Sequence, residues 1–178
     1  SGKSTQARLL SRARKAPYLN MGDVLRAFSR ERGVKNREVG KLIEQGKLVP
    51  LSLVKKIVER FLQASKEEPL LIFDGFPRNQ SQARTFLSLV RKSGRDFLCL
   101  FLDLPMKTAI ERLVKRARLE KRPDDLDPRA IKRRIRIFRS KAKKMLTLFR
   151  PHLVRVSGQG TVEEVRKRIA GLVRRYAH

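Results

Sequence analysis

Ser1-Gly2-Lys3-Ser4-Thr5 opens the chain, and Gly2, Lys3 and Ser4 fill the last three places of the pattern G-x-x-x-x-G-K-[ST]. Each place has a chemical reason. Glycine lets backbone N–H groups approach phosphate oxygens, and the N-terminus of the following helix adds partial positive charge. Lysine reaches the β- and γ-phosphates, and a hydroxyl such as that of Ser4 can ligate Mg²⁺. The required helix pattern follows at once, with Ala7, Leu9, Leu10 and Ala13 set among basic residues. The motif belongs to a strand–loop–helix unit, yet no strand and no first glycine precede Gly2. We therefore expect a sequence cut inside the motif, short of the central strand of a parallel sheet. Loss of a central strand exposes two facing edges, so the chain as it stands is expected to be less stable and less active.

Outward from this start, strand and helix signals alternate, the pattern of an α/β protein with a parallel sheet. Strands are expected at Ala16–Leu19, at Leu70–Phe73 ending in Asp74, at Phe97–Leu102 ending in Asp103, and at Leu153–Val156 closed by Ser157-Gly158. Val54, Ile57, Val58, Phe61 and Leu62 form an apolar helix stripe after Pro50. Ile131, Ile135, Phe138, Ala142, Met145 and Phe149 read as one face of a long helix. Thr161-Val162-Glu163-Glu164 reads as a capping box, followed by a stripe of Val165, Ile169, Leu172 and Tyr176. These stripes are core. There is no repeat, low-complexity tract or linker.

The 178 residues amount to one domain, and 40% apolar content supplies a core. No apolar run approaches the roughly 20 residues of a membrane span, and no signal-peptide pattern is present. Cys99 is the single cysteine, so a disulfide framework and a cysteine-based zinc cluster are excluded. A soluble, cytoplasmic protein is expected. Lys and Arg number 44 against 17 Asp and Glu, a net charge of +27. That balance points to polyanionic ligands, or to non-specific attraction for nucleic acid. From Pro128 to Val162 there are 11 basic residues and no acid. No aromatics interleave with these charges on the long helix, which argues against base stacking there.

A second stretch carries chemistry. Leu71-Ile72-Phe73-Asp74 ends a buried strand on an acid, a placement that in phosphate-loop proteins holds Mg²⁺ directly or through water. Gly75-Phe76-Pro77-Arg78 follows, a turn placed to bring an arginine onto a phosphate. Arg112 and Arg116 share one helix face, and Arg122, Asp124-Asp125 and Arg133 come after them. Arginine forks suit a planar, migrating phosphoryl group. No Ser/His/Asp or Cys/His arrangement is present, because His152 and His178 are isolated.

Together these residues resemble the adenylate kinases of the nucleoside-monophosphate kinase family, of the short-lid type. Ser1–Ala7 resembles the end of that family's phosphate loop, and Gly22-Asp23-Val24-Leu25-Arg26 and Gly46-Lys47-Leu48-Val49-Pro50 resemble its monophosphate-binding segments. Asp74-Gly75-Phe76-Pro77-Arg78 with Gln82 resembles its signature, and Arg112 to Arg133 its lid and flanks. Val156-Ser157-Gly158 with Gly160 resembles the turn near the donor adenine. The resemblance spans essentially the whole chain.

It implies a P-loop NTPase-like three-layer α/β/α fold, one domain over 1–178, a monophosphate segment at about 20–50 and a short lid at about 117–121. It implies reversible phosphoryl transfer from ATP to AMP with Mg²⁺, without zinc, by a monomer serving nucleotide biosynthesis. Gly2, Lys3, Ser4 and Thr5 would hold the donor phosphates, with Ser4 and Asp74 near Mg²⁺. Arg112 and Arg122 would contact ATP phosphates, and Gly160 would lie near the donor adenine. Met21, Gly22, Arg26, Lys47, Val49, Gly75, Arg78, Gln82, Arg116 and Arg133 would bind AMP, with Arg26 and Arg78 on its phosphate and Gln82 on its base. Arg116 and Arg133 would surround the phosphoryl group in flight, and the catalytic set would be Lys3, Arg78, Arg116, Arg122 and Arg133.

Three positions depart from the pattern. Ser4 replaces the glycine usual after the lysine. Met21 replaces a threonine that helps separate AMP from pyrimidine nucleotides. Asn79 after Arg78 is shared with the uridylate/cytidylate branch, whereas Gln82-Ala83 matches the AMP branch. A UMP/CMP kinase and a non-catalytic, basic, RNA-associated relative therefore stand as alternatives.

Overall fold

The computed structural model describes residues 2–31, 33–45, 47–119, 131–132, 135–136 and 142–176, with backbone alone at 116–119. The chain divides into two compact units, Ala7–Asp96 and Ser1–Gln6 with Phe97–His178. Helix α1 (Lys3–Arg14) runs from the second of these into the first.

In the Ala7–Asp96 unit, β1 (Tyr18–Asn20) pairs in parallel with β2 (Ile72–Asp74), setting Tyr18 against Ile72, Leu19 against Phe73 and Asn20 against Asp74. The crossover between them carries α2 (Met21–Arg30), α3 (Val34–Glu44) and α4 (Leu51–Ala64). Helix α5 (Gln80–Lys92) follows β2. Val54, Val58 and Leu62 are the buried face of α4, as the stripe requires. Edge-on ring contacts run from Phe61 to Phe73 (5.2 Å), Phe73 to Phe86 (5.5 Å) and Phe86 to Phe76 (5.8 Å). Offset and edge-on geometry of this kind adds to simple area burial, and here it supports the end of β2 from beneath.

In the other unit, β3 (Cys99–Asp103) pairs in parallel with β4 (Leu153–Ser157). Between them lies α6 (Met106–Leu119), and α7 (Val162–Tyr176) closes the chain against β4. Phe149 is 2% exposed and meets Phe97 edge-on at 5.5 Å. His152 stacks on Phe97, with ring centroids 4.4 Å apart. Cys99 is half-buried, and loss of hydration pushes its thiol up to about 11.

The first strand starts two residues later than expected. Ala16 N–H donates back to Ser11 O (3.0 Å), and Pro17, which has no N–H, meets β2 only through its carbonyl, which accepts from Ile72 N–H (2.9 Å). Leu70, Leu71, Phe97 and Leu98 likewise precede their strands. The long apolar stripe is helical at 131–132, 135–136 and 142–146 and becomes a 3-10 helix at Thr147–His152. The Thr147 hydroxyl donates to Lys144 O (2.7 Å), and Pro151 cannot continue an α-helical ladder. Phe138 lies outside the described residues. On α7 the buried set is Val165, Ile169 and Val173, while Tyr176 is 59% exposed. Four-residue steps from Val165 reach Val173 before the helix end, where Tyr176 meets solvent. Replacing Phe149 with alanine should cost about 3–5 kcal/mol, seen as a lower urea midpoint with an unchanged slope.

Candidate active site

The donor-side residues lie in the unit that contains Gly2–Gln6. Gly2 has φ +84°, a conformation that favours glycine. It leads into the 12-residue α1, whose N-terminal N–H groups and dipole suit an anion. Lys3 and Thr5 are exposed there and Ser4 is half-buried. A cavity of about 290 Å³ is lined by Gly2, Thr5, Gln6, Arg112, Gly158 and Gly160 among others.

Arginines build the turn beside that cavity. Arg112 on α6 donates to Gly158 O (2.9 Å) and Gly160 O (3.3 Å). Arg168 on α7 donates to Ser157 O (3.1 Å) and Gln159 O (2.6 Å). In this structure the Arg112 guanidinium therefore shapes the turn; it was expected on phosphate. Arg168 was missed, since a basic residue on an exposed helix face carries no distinguishing sequence signal. Gln6, within the motif, is 6% exposed and donates through Nε2 to Val162 O (2.9 Å). The capping box forms as expected: Thr161 N–H donates to Glu164 Oε2 (2.7 Å), and Glu164 N–H to Thr161 Oγ1 (3.2 Å). Thr161, through its backbone N–H and then its hydroxyl, lowers the pKa of the Glu164 carboxyl.

The acceptor-side residues lie in the Ala7–Asp96 unit. Asn20 caps α2 by accepting from Asp23 N–H (3.0 Å), and Asn79 caps α5 by accepting from Gln82 N–H (2.9 Å). The start of α2 brings Gly22 and Arg26 together: a Cβ on Gly22 would sit 3.3 Å from Arg26 Nη1. Gly75 has φ +77°, and a Cβ there would lie 3.6 Å from Arg78 Nη2 and 3.8 Å from Gly22 N. The two glycines thus leave a cradle edged by two guanidinium groups. Arg26 pairs with Asp23, which Arg8 also reaches (3.3 Å). Arg78 donates through Nε to Gly75 O (2.9 Å). Although Arg78 is exposed by area, neighbouring atoms crowd its guanidinium. That burial lowers its pKa, the Asp74 carboxylate raises it and the Arg26 charge lowers it again. The group stays cationic at neutral pH. The two guanidinium groups are close enough to feel one another, while Asp23 pairs with Arg26 and the Asp74 charge acts on Arg78.

Gln82 was expected on the acceptor base. Its Oε1 instead accepts from Arg78 N–H (2.8 Å), and the residue is 5% exposed. Met21 (3% exposed) and Val49 (8% exposed) are buried, and Lys47 N–H is taken up by Leu42 O (2.8 Å). Asp74, 7% exposed, accepts through Oδ2 from Tyr18 Oη (3.1 Å) and Asn20 Nδ2 (3.1 Å). Burial, ahead of the Asp74 charge, raises the Tyr18 pKa, partly offset by the Asn20 bond. The Asn20 and Tyr18 roles were not legible, because only strand register brings them to Asp74.

Arg122, Arg133 and Asp124-Asp125 lie outside the described residues, as do His178 and lid positions 120–121. For Arg116 only the helical backbone is described. Ser4 and Asp74, the two residues expected near Mg²⁺, lie in different units, Ser4 half-buried at the start of α1 and Asp74 7% exposed at the end of β2. Among the described residues no cluster of three or more His, Cys, Asp or Glu could cage a metal. Gly160 has φ +95°, and a Cβ there would strike the Glu164 carboxylate. Gly160→Ala should therefore destabilise the protein by about 1–3 kcal/mol, measured by urea unfolding.

The adenylate kinase family model matches residues 1–154. The adenylate kinase of Xanthomonas campestris pv. campestris is 33% identical over 175 residues, covering 95% of this chain and 91% of that protein. That of Thermus thermophilus is 33% identical over 172 residues, 95% and 89% of the two chains. That of Thermosynechococcus vestitus is 31% identical over 172 residues, 93% and 88%. With the phosphate-loop end and the paired glycine-arginine cradle in place, these matches over nearly the full length show that the chain belongs to the adenylate kinase family, phosphotransferases of the α/β P-loop NTPase fold.

Proposed function

We propose that this chain catalyses the reversible transfer of the terminal phosphoryl group of ATP to AMP, giving two ADP. We read residues 1–178 as a single nucleoside-monophosphate kinase domain, with an acceptor segment at about 20–50 and a short lid at about 117–121. The observation that carries the choice of a monophosphate acceptor is the cradle of Gly22, Gly75, Arg26 and Arg78. It offers two guanidinium groups and no general base. None is needed, because the acceptor phosphate already carries its nucleophilic oxygen as an anion.

The roles divide by unit. The α1 N-terminus, Gly2, Lys3, Ser4 and Thr5 hold the donor phosphates. The turn carried by Arg112 and Arg168, with Gly160, borders the place of the donor base. Arg26 and Arg78 hold the acceptor phosphate, and Gln82 acts by fixing the backbone of Arg78. Arg116, Arg122 and Arg133 are assigned to the transferring phosphoryl group on the family resemblance. Ser4 and Asp74 would hold Mg²⁺, in part through water, and that ion supplies charge neutralisation on the β- and γ-phosphates when bound. Alignment and electrostatics carry the rate, and closure of the lid excludes water that would otherwise consume ATP.

We further place the protein in the cytoplasm, as a monomer that binds no zinc. Among the described residues no helix is long and apolar enough to cross a membrane. The net charge of +27 supports a non-specific, salt-sensitive attraction to nucleic acid beside this activity.

A pyrimidine acceptor is the second reading, and one observation favours it. Met21 is 3% exposed and presents a thioether where a threonine hydroxyl would discriminate the base. An assay of ATP·Mg²⁺ with AMP, UMP, CMP and GMP decides between them. Turnover with AMP above all others is expected; preference for UMP or CMP would overturn the AMP assignment. In the same assay Arg78→Lys should lower kcat by about 10²–10³-fold, because an ammonium cannot follow the phosphoryl group with a planar fork.

A further inference from the structure

We propose that Asn20 is a positioning residue: one side-chain amide locks the start of the acceptor-side helix to the carboxylate of Asp74. The proposal rests on the reading above, in which α2 presents the acceptor phosphate site and Asp74 faces the metal.

Asn20 stands opposite Asp74 in the β1–β2 register and is also the cap of α2. Its Oδ1 accepts from Asp23 N–H at 3.0 Å. Its Nδ2 donates to Asp74 Oδ2 at 3.1 Å and to Tyr18 Oη at 3.0 Å. Tyr18 Oη in turn donates to the same Asp74 oxygen at 3.1 Å. The amide has only one workable orientation. Reversed, it would set N–H groups against the Asp23 N–H and a carbonyl oxygen against a carboxylate. Each group in the triangle therefore dictates the others.

The chemistry of the donors matters. Asn and Tyr are neutral, so they fix one oxygen of Asp74 without cancelling its charge. A lysine or arginine in that place would compete with a metal for the carboxylate. The two ends of the amide also do different work. The cap could be made equally well by serine or aspartate. Reaching Asp74 with an N–H donor requires the amide. The two contributions can therefore be separated by substitution.

Asn20→Ser keeps a cap and removes the donor to Asp74. Asn20→Asp keeps the cap and sets a carboxylate against a carboxylate. Tyr18→Phe removes the other donor. The measurements are kcat, the KM for AMP, the melting temperature, and Mn²⁺ affinity in the ATP complex without acceptor, followed by electron paramagnetic resonance. Asn20→Ser should melt within about 2–4 °C of the unchanged protein. It should lose about 10–100-fold in kcat and in Mn²⁺ affinity, as expected when a hydrogen-bonded support of a metal carboxylate is removed. Its KM for AMP should stay within about twofold, because the cap and Arg26 are retained. Asn20→Asp should lose more than Asn20→Ser, and Tyr18→Phe should fall in the same direction. Unchanged Mn²⁺ affinity and kcat in Asn20→Ser, or a loss confined to melting temperature, would overturn the proposal. If the unchanged chain transfers no phosphoryl group to any monophosphate, the acceptor reading fails. The Mn²⁺ measurement, which needs no turnover, then judges Asn20 by itself.

Discussion

Parallel pairing of β1 with β2 sets Asn20 against Asp74, and the acceptor side is organised around that contact. A slip of β1 by one residue would turn Asn20 to the face of the sheet opposite Asp74. The cap of α2, the hold on Asp74 and the half-buried place of Tyr18 would be lost together. Register is secured from below: Leu19 and Ile72 are buried, and the edge-on chain of Phe61, Phe73, Phe86 and Phe76 supports the strand end. Once the strand end is held, Gly22 and Gly75 leave room where side chains would otherwise crowd, and Arg26 and Arg78 edge that room.

The donor side uses the same economy of parts with different chemistry. Four successive carbonyls, from Ser157 to Gly160, accept from two arginines. A planar fork can hold two carbonyls at once, which an ammonium on a flexible stem does less well. Each arginine thus braces the turn and leaves positive potential beside the helix N-terminus that begins at Lys3. The net charge of +27 is of the sign that favours polyanionic ligands, an attraction that weakens as ionic strength rises.

Legibility followed the range of each signal. The apolar stripe of α4, the capping box of α7 and the glycine-lysine start of α1 depend on neighbours within a turn or two, and all three formed as read. Strand limits were less legible. Apolar character extends through Leu70 and Leu71 before the ladder begins at Ile72, because hydrophobic runs mark burial rather than hydrogen bonding. Pro17 and the Ala16–Ser11 bond delayed β1 in a way that composition alone does not show. The shift from α-helix to 3-10 at Thr147 was written in Pro151 but hidden by an apolar spacing that continues through Phe149.

Residue types and order by themselves determined the α/β class, the phosphate-binding chemistry and the arginine-rich character of the site. Those properties reside in side-chain charge, glycine freedom and periodicity, which are local. Partner choice was decided only by tertiary structure. Gln82 holds Arg78 N–H, Arg112 holds the turn after β4, and Asn20 with Tyr18 holds Asp74. A hydrogen bond needs its two atoms within about 3 Å and in line. Residues 46 or 54 positions apart, as Arg112 is from Gly158 and Asn20 from Asp74, meet that condition only after the strands have paired.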